Sequence, residues 1–161
     1  MTIQVGEKLP SVTFMHMSDA GPVPISTEEL FGGKTVALFA VPGAFTPTCS
    51  NQHMPGYVQH AASIREKGVD TIVCVSVNDA FVMDAWGKDQ GAGGNIMMVG
   101  DGNGEFTKAI GLEMDGSGFG LGTRSLRYSM IVRDGVVDTL NIESNPGEAV
   151  DSGAENLMSQ L

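Results

Sequence analysis

Apolar residues fill every position after the first in TVALFAV, residues 35–41. A short apolar run without alternation predicts a strand covered on both faces. TIVCVSV (71–77) and NIMMVGD (95–101) predict two more strands of the same kind. Between the first two, TPTCSNQHMPGYVQHAASIREKG (46–68) changes period, with Tyr57, Val58, Ala61, Ala62 and Ile64 forming a helical stripe that ends at Gly68. Thr46 suits the N-cap and Pro47 the first helical position. Pro55 lies inside this segment and is expected to kink or interrupt it. AFVMDAWGKDQ (80–90) predicts a short helix capped by Asn78 or Asp79, and GEFTKAIGL (104–112) another. RYSMIVRDGVVDTLNIE (127–143) predicts a hairpin turning at Asp134-Gly135, and the tail 149–161 a final helix. Strand–helix–strand units followed by a hairpin predict an α/β sheet with helices on both faces. No linker interrupts the pattern, so one domain over 1–161 is expected.

Composition narrows the function without naming it. The 161 residues are 42% hydrophobic, with 22 Gly, no charge block and no repeat. A net charge of −10 disfavours nucleic acid and membrane surfaces as partners. The opening MTIQVGEKLPSVTF lacks the basic start and apolar stretch of a signal peptide. The longest apolar run, near Val36–Phe45, is too short to cross a bilayer and contains Pro42. Two cysteines make no disulfide framework, and a reducing, cytoplasmic location is expected. His16 and His60 have no companions at metal-ligand spacing. DGNGEFTKAIGL (101–112) lacks the glycine and final glutamate of a calcium loop. GSGFGLGT (116–123) lacks the lysine of a phosphate loop; it reads instead as a flexible approach to the strand that follows.

The chemistry concentrates in VPGAFTPTCS, residues 41–50. Cys49 falls in the first turn of the predicted helix, where unpaired N–H groups and the helix dipole favour thiolate over thiol. Pro42 and Pro47 remove two donors and stiffen the loop. The N–H groups of Thr48 and Cys49 can then face a small ligand, and Thr46 can bring its hydroxyl beside the sulfur. The alternative is a small buried residue near a helix start. Cys74, inside an apolar strand, reads as a core residue, with resolving partner of Cys49 as the sharper alternative. His53, four residues after Cys49, also permits a Cys-His hydrolase.

The stretch resembles the peroxidatic loop of peroxiredoxins, in which Pro is followed after three residues by Thr or Ser and after two more by Cys. Here these are Pro42, Thr46 and Cys49. Residues 54–86 and 120–137 are similar in order and spacing to the peroxiredoxin-5 or type II group, and the similarity runs from VGEKLP to LMSQL. It implies a thioredoxin-like fold, a central mixed β-sheet flanked by helices. It implies that Cys49 attacks hydrogen peroxide or a small alkyl hydroperoxide and becomes a sulfenic acid. Thr46 would hydrogen-bond the sulfur and the peroxide, and Pro42 would shield the site. Arg127, just before YSMIV, would hold thiolate and peroxide with its forked charge; Arg124 reads as a supporting neighbour or an exposed charge. Gly43, Phe45, Thr48 and Phe119 are the candidate substrate contacts, although either phenylalanine also fits a core. No cofactor and no metal are implied, and a homodimer is. The tail holds no cysteine, so with Cys74 read as buried an external thiol must reduce the sulfenic acid: glutathione with glutaredoxin first, thioredoxin second. A non-catalytic redox sensor forming mixed disulfides is the alternative function.

Overall fold

The computed structural model describes residues 1–161. The chain opens with a hairpin of β1 (Thr13–Ser18) and β2 (Gly21–Ser26), then a short helix α1 (Thr27–Phe31) held by a Ser26–Glu29 capping box. Next come β3 (Thr35–Ala40), α2 (Met54–Glu66), β4 (Thr71–Ser76), α3 (Ala80–Asp89), β5 (Met97–Gly100) and α4 (Glu105–Ala109). A small pair, β6 (Glu113–Asp115) and β7 (Thr123–Ser125), precedes the hairpin β8 (Tyr128–Arg133) and β9 (Val136–Ile142), and α5 (Ala154–Ser159) ends the chain. The main sheet has 7 strands in the order β2-β1-β5-β4-β3-β8-β9. β3, β4 and β5 are parallel, and β8 and β1 flank them antiparallel. This is the mixed sheet of a thioredoxin-like fold.

The continuous apolar runs are explained by two cores, one on each face of the sheet. Along β3 the side chains alternate: Val36, Leu38 and Ala40 enter one core, while Ala37, Phe39 and then Val41 enter the other. The first core packs Leu30, Phe31 and Phe106 from α1 and α4; the second packs Tyr57, Ile64, Trp86 and Leu157 from α2, α3 and α5. Both cysteines lie on the second face.

Several expectations are refined. The helix over 46–68 runs without a break from Pro47 to Glu66 but widens to a π turn at Cys49–His53, where the Met54 N–H bonds the Cys49 carbonyl. Pro55 has no N–H, and in a regular helix its ring would strike the carbonyl four residues back; the wider turn relieves this without a break. Asp79 caps α3 by accepting from the Val82 N–H at 2.8 Å. The turn at Asp134-Gly135 has φ of 49° and 77°, the two positive values a two-residue hairpin turn requires. The last helix is shorter than expected, Ala154–Ser159 rather than 149–161, because residues 143–153 form a strap across the site. The glycine-rich segment 116–122 is a closed turn rather than a free approach: Gly116 N–H bonds the Gly122 carbonyl at 2.7 Å, and Leu121 N–H bonds the Gly116 carbonyl at 3.0 Å. The hairpin of β1 and β2 was invisible to pattern because Pro22 and Pro24 argue against a strand, and an edge position tolerates them.

Candidate functional site

β3 ends by delivering Val41, Pro42 and Gly43, all buried, to a tight loop before the helix. Phe45 in this loop has φ of 65°, a left-handed conformation that costs a non-glycine residue about 1 kcal/mol or more. Neighbouring bonds hold it there. Asn78, just past β4, accepts from the Ala44 N–H at 3.1 Å and from Ser76 Oγ at 2.6 Å. Thr46 donates its hydroxyl to the Gly43 carbonyl at 2.6 Å. The result turns the Phe45 ring outward, where it is 53% exposed, and starts the helix at Pro47, two residues before Cys49. Trp86 of α3, fully buried, donates its indole N–H to Ser50 Oγ at 3.0 Å and pins the next residue.

Cys49 is fully buried, and a distant part of the chain reaches it. Arg127 precedes β8, which pairs with β3, and is 2% exposed. Its Nη2 donates to Cys49 Sγ at 3.1 Å, its Nη1 to His53 Nδ1 at 3.0 Å, and its Nε to the Pro146 carbonyl at 3.2 Å. An arginine has only donors, so His53 Nδ1 accepts and its proton sits on Nε2. That Nε2–H donates to the Ser152 carbonyl at 3.0 Å, which also accepts the Tyr57 hydroxyl at 2.8 Å. Ser152 is held in turn by Glu143 at the end of β9, which accepts from its N–H at 2.8 Å and from its hydroxyl at 2.5 Å. A continuous chain of polar contacts thus runs from Glu143 through Ser152, His53 and Arg127 to the sulfur.

Electrostatics follow from burial and these contacts. Burial, and then the Arg127 charge, push His53 down to about 3, so its ring is neutral at physiological pH. Burial pulls Glu143 upward, but hydrogen bonds from Ser152 and the loop N–H groups outweigh it and leave the carboxyl below its ordinary value. Burial, with the neighbouring Cys49 second, raises the Cys74 thiol well above its ordinary value.

The candidates from sequence separate into groups. Cys49, Arg127, His53 and the strap meet around one sulfur. Pro42 and Gly43 are buried in the loop that precedes the helix. Thr46 corrects its expectation: its hydroxyl proton goes to the Gly43 carbonyl, not to the sulfur. The Thr48 side chain donates to the Gly147 carbonyl at 3.1 Å and ties the helix start to the strap. Phe119 is 88% exposed, so neither phenylalanine belongs to a core. Cys74 stays buried on β4, and both cysteines are free thiols. Arg124 donates Nε to the Leu121 carbonyl at 2.8 Å and makes no hydrogen bond to Cys49, although its Nη1 lies 3.2 Å from where a Cβ on Gly43 would stand. The Cys-His hydrolase fails on geometry, because His53 bonds Arg127 and Ser152 and has no lone pair left for the thiol. Sequence reading missed the part that Asn78, Trp86, Tyr57, Glu143 and Ser152 play at the site, because their polar groups meet their partners only once the chain is folded.

The chain is similar to known proteins over nearly its whole length. Residues 4–158 match the Redoxin family. Peroxiredoxin-2E, chloroplastic, of Arabidopsis thaliana is 48% identical over 164 residues, covering 99% of this chain and 70% of that protein. The crystal structure of reduced Prx3 in complex with H2O2 from Vibrio vulnificus is 52% identical, covers 99% of both chains and superposes with a TM-score of 0.94. The crystal structure of peroxiredoxin 5 from Alvinella pompejana is 35% identical over 98% of this chain and 96% of its own, with a TM-score of 0.85. The Arabidopsis relative, named chloroplastic, overturns the cytoplasmic expectation. A low cysteine count distinguishes reducing from oxidising surroundings, not one reducing compartment from another. Family match, near-full-length identity and superposed fold agree: the chain belongs to the peroxiredoxins, in the peroxiredoxin-5 or type II group, which are thiol peroxidases.

Proposed function

We propose that Cys49 is the peroxidatic residue. Its thiolate sulfur attacks one oxygen of hydrogen peroxide or a small alkyl hydroperoxide; an S–O bond forms and the O–O bond breaks. The departing oxygen takes a proton and leaves as water or alcohol, and the sulfur remains as a sulfenic acid. One observation carries this: the Arg127 guanidinium donates to a fully buried Cys49 sulfur at 3.1 Å. A buried thiolate is costly unless a paired donor compensates it, and a charge-assisted bond from a group that stays protonated does so. The same fork can reach the departing oxygen. The Thr46 hydroxyl gives its proton to Gly43, so its lone pairs are free to receive the peroxide O–H. Pro42 and Gly43 keep water from the back of the sulfur.

The sulfenic acid is resolved by an external thiol, because Cys74 is buried and its thiol is held protonated. A thiolate attacks the sulfenic sulfur, forming a mixed disulfide and releasing water. A second thiol then takes that disulfide and returns Cys49. Glutathione with glutaredoxin is the first choice of reductant and thioredoxin the second. The exposed Phe45 and Phe119 favour a homodimer that covers them; a monomer in equilibrium sedimentation would refute it. Peroxide consumption with each reductant, run side by side, tests the whole reading. Cys49→Ser is expected to abolish turnover with the fold intact, and surviving turnover would end the assignment.

A further inference from the structure

The second arginine near the site has no partner of opposite charge. The basic and acidic side chains that meet are His60 and Glu155, Lys88 and Asp84, and Arg133 and Asp138. Arg124 is not among them. It is half-buried on β7, and Nε–H is committed to the Leu121 carbonyl at 2.8 Å, which fixes the plane of its fork. Its Nη1 lies 3.2 Å from the Cβ that Gly43 lacks, while the Gly43 carbonyl carries the Thr46 hydroxyl. The guanidinium therefore rests on the loop that precedes Cys49. Only a glycine leaves that space open, since a side chain at 43 would press on both Arg124 and Thr46. Arg127, by contrast, spends Nε, Nη1 and Nη2 on the protein itself.

We propose that Arg124 is an anion subsite at the mouth of the site, taking a carboxylate carried by the small substrate. A fixed guanidinium with free Nη groups suits a planar carboxylate. The need follows from charge: at −10 the molecule repels a small anion, and an unpaired cation beside the loop offsets this locally. Glutathione bears two carboxylates, and a hydroperoxide of a carboxylic acid bears one, so either can supply the group. The inference rests on Cys49 forming a sulfenic acid.

The test follows single-turnover reduction of sulfenic Cys49, generated with one equivalent of hydrogen peroxide, by glutathione and by its diethyl ester, which keeps the thiol and caps both carboxylates. Arg124→Gln, which can still donate to Leu121, is expected to lower the ratio of the glutathione rate to the ester rate about tenfold. Arg124→Lys should recover part of it, and added salt should move the wild-type ratio toward that of the Gln variant. A parallel arm compares a hydroperoxy carboxylic acid with tert-butyl hydroperoxide in the oxidation step; a fall confined to that ratio assigns the carboxylate to the peroxide and still supports the subsite. If neither ratio moves in a folded Arg124→Gln, the inference is overturned. If the wild type forms no sulfenic acid, the fault lies with the peroxidatic assignment instead.

Discussion

Three nitrogens of one side chain organise this site. Arg127 commits all three nitrogens: the Pro146 carbonyl, His53 and the sulfur each fix one direction, and the second N–H of each Nη is left over. A lysine could satisfy only part of that set, because an ammonium lacks the planar fork. Arg127→Lys is therefore expected to slow both peroxide reduction and alkylation of Cys49 by iodoacetamide at pH 7 by about tenfold or more; unchanged alkylation would show that the guanidinium does not govern the sulfur. His53 adds a sign. Its folded value is about 3, below the ordinary value of 6.5, so the unfolded chain binds more protons between those limits. Stability is complete above about pH 6.5 and is lost as pH falls toward 3. Calorimetric melting across that range should show it, and His53→Gln should flatten the slope. At this scale Cys49 was legible from its loop and Arg127 from resemblance. The direction of the Thr46 hydroxyl was not, because it depends on a carbonyl that the loop turns inward.

The strap 143–153 is the element that the linear pattern described least well. It was read partly as helix, yet it contributes carbonyls: Pro146 to Arg127, Gly147 to Thr48, and Ser152 to His53 and Tyr57. Backbone carbonyls carry no signature in sequence. Glu143 clamps the strap by accepting from Asp151 and Ser152. Its depressed carboxyl supplies stability that is present above about pH 4.5 and is lost as pH falls below it. Glu143→Ala should raise hydrogen exchange at the Asp151 and Ser152 amides and lower peroxide kcat/KM about tenfold by loosening His53 and Arg127. Fast exchange with undiminished kcat/KM would separate the strap from the chemistry. The π turn at Cys49–His53 is a second such element: Pro55 announced a disturbance, but only packing against the sheet chose widening over a break.

Across the whole molecule, one sheet separates two cores, and only one core contains the site. Phe106, buried on α4 and tilted against Phe14 at 4.9 Å, belongs to the other face. Phe106→Ala is expected to cost about 3–5 kcal/mol of stability while leaving kcat/KM of the folded enzyme within about twofold, since Phe106 packs in the core on the face opposite Cys49. Phe39 faces the site, stacked on Tyr57 at 3.9 Å and 5.0 Å from His53, so its truncation should reduce stability and rate together. By itself the sequence determined the three buried parallel strands, the helix that begins beside Cys49, the hairpin turn at Asp134-Gly135 and the family. Each of these is written in local periodicity, turn chemistry or a contiguous motif. Only the tertiary structure decided the partners of the sulfur. Arg127 lies 78 residues from Cys49, and Ser152 lies 99 from His53. β8 must pair beside β3, and the strap must cross α2, before either contact exists. Contacts of that range depend on register and packing, which no local pattern encodes.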